Sequence, residues 1–145
     1  MFKHILLPTD GSPLSEIAIQ KSISLAKTLG AKVTGLYVIP EYHTFTWQAE
    51  MLSDSSGDFA KYGLAQADKF LGVISDKAKE AGVTAALLHL TSDHPYEAII
   101  KAAEDNQCDL ITMASHGRKG IQGVLIGSET QKVLAHSKIP VLVYR

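Results

Sequence analysis

A chain of 145 residues fits a single domain, and an apolar share of 46% supplies an ordinary core and excludes a disordered chain. The formal net charge of -1, from 14 basic and 15 acidic residues, argues against a nucleic-acid partner, which would need a concentrated basic face. The single cysteine, Cys108, excludes an internal disulfide and fits a reducing compartment.

The first apolar run is Ile5-Leu6-Leu7, which ends at Pro8-Thr9-Asp10-Gly11-Ser12. It is too short for a signal peptide and lacks a small-residue cleavage site. No run approaches the roughly 20 apolar residues that span a bilayer. The expectation is a cytoplasmic protein with no membrane span. Ser12 can cap a first helix with Pro13 at its first position, where a missing N–H costs nothing. Leu14, Ile17, Ala18, Leu25 and Leu29 recur at helical spacing, and Gly30 can end the helix.

Val33 to Val38 is the second strand. Pro40 to about Gly57 breaks the rhythm, with Tyr42, Phe45, Trp47, Met51 and Leu52 among polar residues. Loops of that length are uncommon unless they act as lids or contacts, and Trp47 is assigned to such a role. The second helix carries the cleanest stripe, Leu64, Ala67, Leu71, Ile74, Ala78 and Ala81, followed by Gly82. Ala85 to Leu90 is the third strand. A third helix runs from about Pro95 to Glu104 and carries Ile99, Ile100 and Ala103. Leu110 to Ala114 is the fourth strand, a helix starting near Ser128 carries Val133 and Leu134, and Val141 to Tyr144 is the fifth strand. Runs one, four and five are nearly continuous in apolar character, as strands covered on both faces are.

Strand and helix in strict alternation predict an α/β domain: a single open, doubly wound parallel sheet with helices on both faces. Ligands in such sheets bind beyond the C-terminal ends of the strands, where strand order reverses. The usual arrangement places strand one beside strand four. Two loops would meet there. One is Pro8 to Ser12. The other runs from Ala114 through Ser115-His116-Gly117-Arg118-Lys119-Gly120-Ile121-Gln122-Gly123-Val124-Leu125-Ile126-Gly127-Ser128. Glycines that admit backbone N–H groups, two adjacent cations and a helix N-terminus are the parts of a phosphate site. Arg118 and Lys119 could add charge-assisted bonds, and His116 could reach a phosphate or bond the turn's own backbone. Composition also allows a plainer reading. Ser128 with Gln131 would form a capping box that needs no ligand.

The run Met113-Ala114-Ser115-His116-Gly117, then nine residues, then Gly127-Ser128 resembles the nucleotide loop of the universal stress protein family. The opening Ile5 to Ser12 and the ending Ile139-Pro140-Val141-Leu142-Val143 are similar to that family as well, so the likeness spans residues 1–145. The resemblance implies a five-stranded sheet in the order 3-2-1-4-5 and homodimers paired through the last strand. It implies a stress-response regulator that binds an adenine nucleotide, ATP first. Pro8, Thr9, Asp10 and Val38 would line the adenosine end. Gly117, Gly127, Ser128 and the backbone at Glu129 would hold ribose and phosphates, with Met113 and Ala114 beside them. Asp10 offers carboxylate acceptors and Val38 an apolar wall, which agrees.

Three positions depart from the family pattern. Ala114 stands where its first glycine belongs. Glu129 stands where an apolar residue is usual, and its carboxylate would repel a triphosphate, which would lower affinity or call for Mg²⁺. Asp93 replaces a glycine before His94-Pro95. No Walker lysine loop, dinucleotide fingerprint or nucleophile elbow is present, so vigorous catalysis is not expected. The histidines show no metal-ligand spacing. Cys108 reads as a small buried hydrophobe, with no acid–histidine arrangement around it. A nucleotide-free dimeric interaction protein and a slow ATPase stand as alternatives, and any protein partner is unknown.

Overall fold

The computed structural model describes residues 1–42, 56–117 and 126–145. The elements run β1 (His4–Thr9), α1 (Pro13–Leu29), β2 (Lys32–Ile39), α2 (Ser56–Ala81), β3 (Ala85–Thr91), α3 (Pro95–Asp105), β4 (Leu110–Ala114), α4 (Ser128–His136) and β5 (Val141–Tyr144). All four strand pairings are parallel, and the order is β3-β2-β1-β4-β5. Trp47 and most of the 40–57 segment lie outside the described residues.

Alternation along each strand divides the core in two. Ile5, Leu7, Val33, Tyr37 and Leu110 pack with Ile19, Ile23, Phe70 and Ile74, so α1 and α2 cover one face. Leu6, Leu36, Ile111 and Met113 pack with Ile99, Ala102 and Val133, so α3 and α4 cover the other. Two glycines bring α2 close to the sheet. A Cβ on Gly35 would stand 2.8 Å from Ile74 Cδ1, and one on Gly63 would stand 2.7 Å from Ile39 Cγ2.

The helix ends follow local chemistry. Ser12 accepts the N–H of Ser15 at the start of α1, and Gly30 closes it in the left-handed conformation at φ 66°. The face α1 buries is not quite the expected one. Ser15, Ala18, Ile19, Ser22, Ile23 and Ala26 point inward, while Ile17 is exposed. Two serines on the buried face disguise it in the sequence. Leu64 and Leu134, read as core, are also exposed. Strand β5 corrects the expectation of two covered faces: it is a four-residue edge strand, partly open along its length, with Leu142 exposed.

The exit of β2 is tied to the β3–α3 turn. Ser92 N–H donates to the Ile39 carbonyl (2.9 Å), and Glu41 N–H donates to Asp93 Oδ1 (3.0 Å). Asp93, the departure before His94-Pro95, thus anchors the base of the long segment. Tyr42 meets Phe59 of α2 just beyond it, with ring centroids 5.3 Å apart.

Candidate functional site

Strands β1 and β4 are neighbours, yet the helices that follow them pack on opposite faces. Their C-terminal ends therefore form the switch point of the sheet, where an open α/β fold leaves a crevice.

The β1 exit is built by short polar side chains. Thr9 Oγ1 lies 2.6 Å from Ser15 Oγ and accepts the Gly11 N–H at 3.2 Å. Asp10 Oδ1 accepts the Ser12 N–H at 2.9 Å, an Asx turn that fixes the carboxylate beside the loop. Gly11 is required twice over: φ is 79°, and a Cβ would overlap the ring of Phe70.

The β4 exit comes alongside. Ser115 N–H continues the ladder to the Tyr144 carbonyl (2.7 Å), and Ser115 Oγ lies 3.1 Å from His116 Nδ1. Gly117 lies so near Asp10 that a Cβ there would overlap Asp10 Oδ2. The second end of this loop is pinned to the first. Gly127 N–H donates to the Ser115 carbonyl (2.6 Å), and Thr130 Oγ1 donates to the Ala114 carbonyl (3.0 Å). A Cβ on Gly127 would stand 2.9 Å from His116 Cβ and 3.0 Å from His116 Cα.

Helix α4 starts from this knot. Its N-cap is Gly127, in extended conformation, with no side-chain hydrogen bond. The expected Ser128–Gln131 capping box does not form, because Ser128 sits one residue inside the helix, and Gln131 Nε2 donates instead to the Ile126 carbonyl (2.9 Å). Ser128 is exposed. The N–H groups of Ser128, Glu129 and Thr130 have no acceptor within the helix and carry its partial positive charge.

The Glu129 side chain is not where the sequence suggested. Its Oε2 accepts the backbone N–H of Tyr96 in α3 (3.0 Å), and Lys132 Nζ lies 3.4 Å from its Oε1. The carboxylate expected to oppose a phosphate is engaged by another helix.

Strand parity divides the remaining candidates between the two faces of the sheet. Pro8, Val38 and Met113 share the face covered by α3 and α4, with Val38 and Met113 packed in its core. Thr9 and Ala114 point to the other face, Thr9 buried and Ala114 half-buried. Asp10, His116, Gly117, Gly127, Ser128 and the Glu129 backbone gather around the two loop exits, and Arg118 lies outside the described residues. Sequence reasoning missed Ser15, Phe70, Thr130 and Tyr96. Of these, only the Ser12–Ser15 spacing left a local trace, as an N-cap pattern.

The model of the universal stress protein family matches residues 1–145. Universal stress protein MJ0577 of Methanocaldococcus jannaschii is 33% identical over 164 residues, covering 100% of this chain and 96% of that protein. MJ0531 of the same organism is 29% identical, covering 100% and 83%. The solved structure of MJ0577, described as a structure-based assignment of biochemical function, superposes with a TM-score of 0.83 at 29% identity, covering 99% of this chain and 95% of that one. A universal stress protein solved in complex with cAMP superposes with a TM-score of 0.72 at 26% identity, covering 99% and 97%.

Proposed function

The chain belongs to the universal stress protein family, and we propose that it is a stress-response regulator that binds an adenine nucleotide, ATP first, in the crevice between β1 and β4. The observation that carries this reading is the meeting of Asp10 and Gly117 beside the uncapped start of α4. Glycine at 117 and 127 lets the two loop exits close against Asp10 and against His116, contacts that a Cβ would overlap. The start of α4 offers amides and partial positive charge to phosphate oxygens. The Asp10 carboxylate would accept from a ribose hydroxyl or adenine amino group, and Pro8, Val38 and Met113 would form an apolar wall. Ala114 fits this role, since only a methyl is added at a half-buried strand end. His116 and Arg118 stand at the phosphate end of the same loop in sequence. A relative solved with cAMP, also an adenine nucleotide, supports the ligand class. Mg²⁺ arriving with ATP would neutralise part of the triphosphate's own charge.

Equilibrium dialysis with ATP, AMP and GTP tests the reading. Saturable ATP binding below about 1 mM, with GTP weaker, is expected. Failure to saturate in that range would refute it.

The exposed β5 edge favours a second element of the reading, homodimerisation through that strand. An apolar edge left open is an aggregation hazard that pairing removes. Sedimentation velocity should give a dimer for the natural chain and a monomer for Leu142→Lys.

A further inference from the structure

We propose that Glu129 is a positioning residue that keeps the phosphate end of the site open by spending its own charge on the neighbouring helix, an assignment that rests on the nucleotide reading above.

Helix α3 lacks the means to cap itself. Its N-cap, His94, makes no side-chain hydrogen bond, and its first residue, Pro95, has no N–H. The first orphan donor is therefore the N–H of Tyr96. Glu129 supplies the missing acceptor from α4, at 3.0 Å. Lys132, one turn further along α4, closes the arrangement. Its Nζ lies 3.4 Å from Glu129 Oε1 and 5.5 Å from the centroid of the Tyr96 ring. Glu97, at the same corner, accepts from the Tyr96 hydroxyl (2.9 Å), and the His136 ring lies tilted against the Tyr96 ring, with centroids 5.3 Å apart.

The consequence concerns the start of α4. A carboxylate in the first turn of a helix is drawn to that helix's own N-terminus. Released from α3, Glu129 becomes an internal anion competing with a phosphate chain for the amides of Ser128 to Thr130. Held on Tyr96 and Lys132, it leaves them free and joins α3 to the phosphate end. Its effect is selective: it bears on ligands in proportion to their phosphate charge and leaves the nucleoside end untouched.

The test is a double-mutant cycle on the full chain, read as dissociation constants for ATP, AMP and adenosine. Lys132→Met removes one of the two contacts that hold Glu129 and should weaken ATP binding by up to about tenfold, the size of one unit charge several ångströms from a phosphate in a half-solvated site. AMP should lose less, and adenosine nothing. In the Glu129→Gln background the same Lys132→Met change should cost ATP less than about twofold, since the side chain freed carries no charge. An equal ATP loss in both backgrounds would overturn the assignment, because Lys132 would then act on phosphate directly. Tighter ATP binding by about tenfold in Glu129→Gln alone would also overturn it, because the carboxylate would already be facing the ligand. Absence of nucleotide binding by the natural chain defeats the nucleotide reading and this assignment together, whereas natural binding with a background-independent loss defeats this assignment alone.

Discussion

Gly127→Ala tests how tightly the two ends of the β4–α4 loop are pressed together. The added methyl would lie 2.9 and 3.0 Å from His116 Cβ and Cα and 3.4 Å from the Ser115 carbonyl oxygen. These are backbone or near-backbone atoms, so no side-chain rotation relieves the contact. Forcing a methyl into a packed place costs about 1–3 kcal/mol. Alanine is also a poorer N-cap than glycine, by up to about 1 kcal/mol. Against this, φ is -70°, which alanine adopts freely, and the stiffer unfolded chain returns about 0.4–1 kcal/mol. The net loss is about 1–3 kcal/mol, or about 3–9 °C in Tm for a chain of this size. Urea unfolding should show a lower midpoint with an unchanged slope. ATP affinity should fall with it, because relief of the clash moves the start of α4 away from Ser115. A variant as stable as the natural chain would show that the loop ends are not in contact and refute the reasoning.

Gly72→Ala is the counterpart: nothing lies within 4 Å of a Cβ there, inside α2, so stability should rise by about 1 kcal/mol in the same urea assay. Acid should weaken the fold in two stages. Burial, and Lys32 beside it, hold His4 below the ordinary 6.5, so the unfolded chain takes the proton more readily and stability, complete above 6.5, falls as pH drops below it. Burial alone would raise the Asp109 carboxyl, but the N–H groups of His4 and Lys3 outweigh it and hold it below 3.8. Its contribution, present above 3.8, is lost as pH falls through the folded value. Urea midpoints measured from about pH 8 down to about pH 3 read both stages, and His4→Gln should flatten the first. Burial pushes the Cys108 thiol up to about 11, so a thiol reagent at neutral pH should label it only as the chain unfolds, at the unfolding rate. Thr112 is wholly buried and its hydroxyl has no partner among the described residues. Thr112→Val should therefore stabilise the fold by about 1 kcal/mol in calorimetry.

Strands β1 and β4 were legible because burial on two faces leaves nearly continuous apolar runs, Ile5 to Leu7 and Leu110 to Ala114, the second interrupted only by Thr112. The helix ends were legible because Ser12, Pro13, Gly30 and Gly82 act within one turn of themselves. Sites that depend on distant partners were not. Nothing near Glu129 announces that Tyr96, 33 residues away, will take its carboxylate. Nothing near Gly35 or Gly63 marks them as the contacts that let α2 lie close on β2. The α1 face was misread at Ile17 because serine fills inward positions there, a polar residue small enough for close helix–sheet packing. The crevice was legible in part: motif spacing named both loops, but the closeness of Asp10 to Gly117 is a tertiary fact.

The central place of β1 bears on how the chain is made. One side of β1 pairs with β2, which follows soon after, while the other pairs with β4, and Lys3 and His4 are tethered to Asp109 more than a hundred residues on. During vectorial synthesis the middle strand of the sheet must wait with a bare flank until most of the polypeptide has left the ribosome. Interruption of translation before β4 emerges would yield a fragment with its stickiest ribbon uncovered. Chaperone demand during biogenesis should therefore peak in that interval and cease once β4 zips into place.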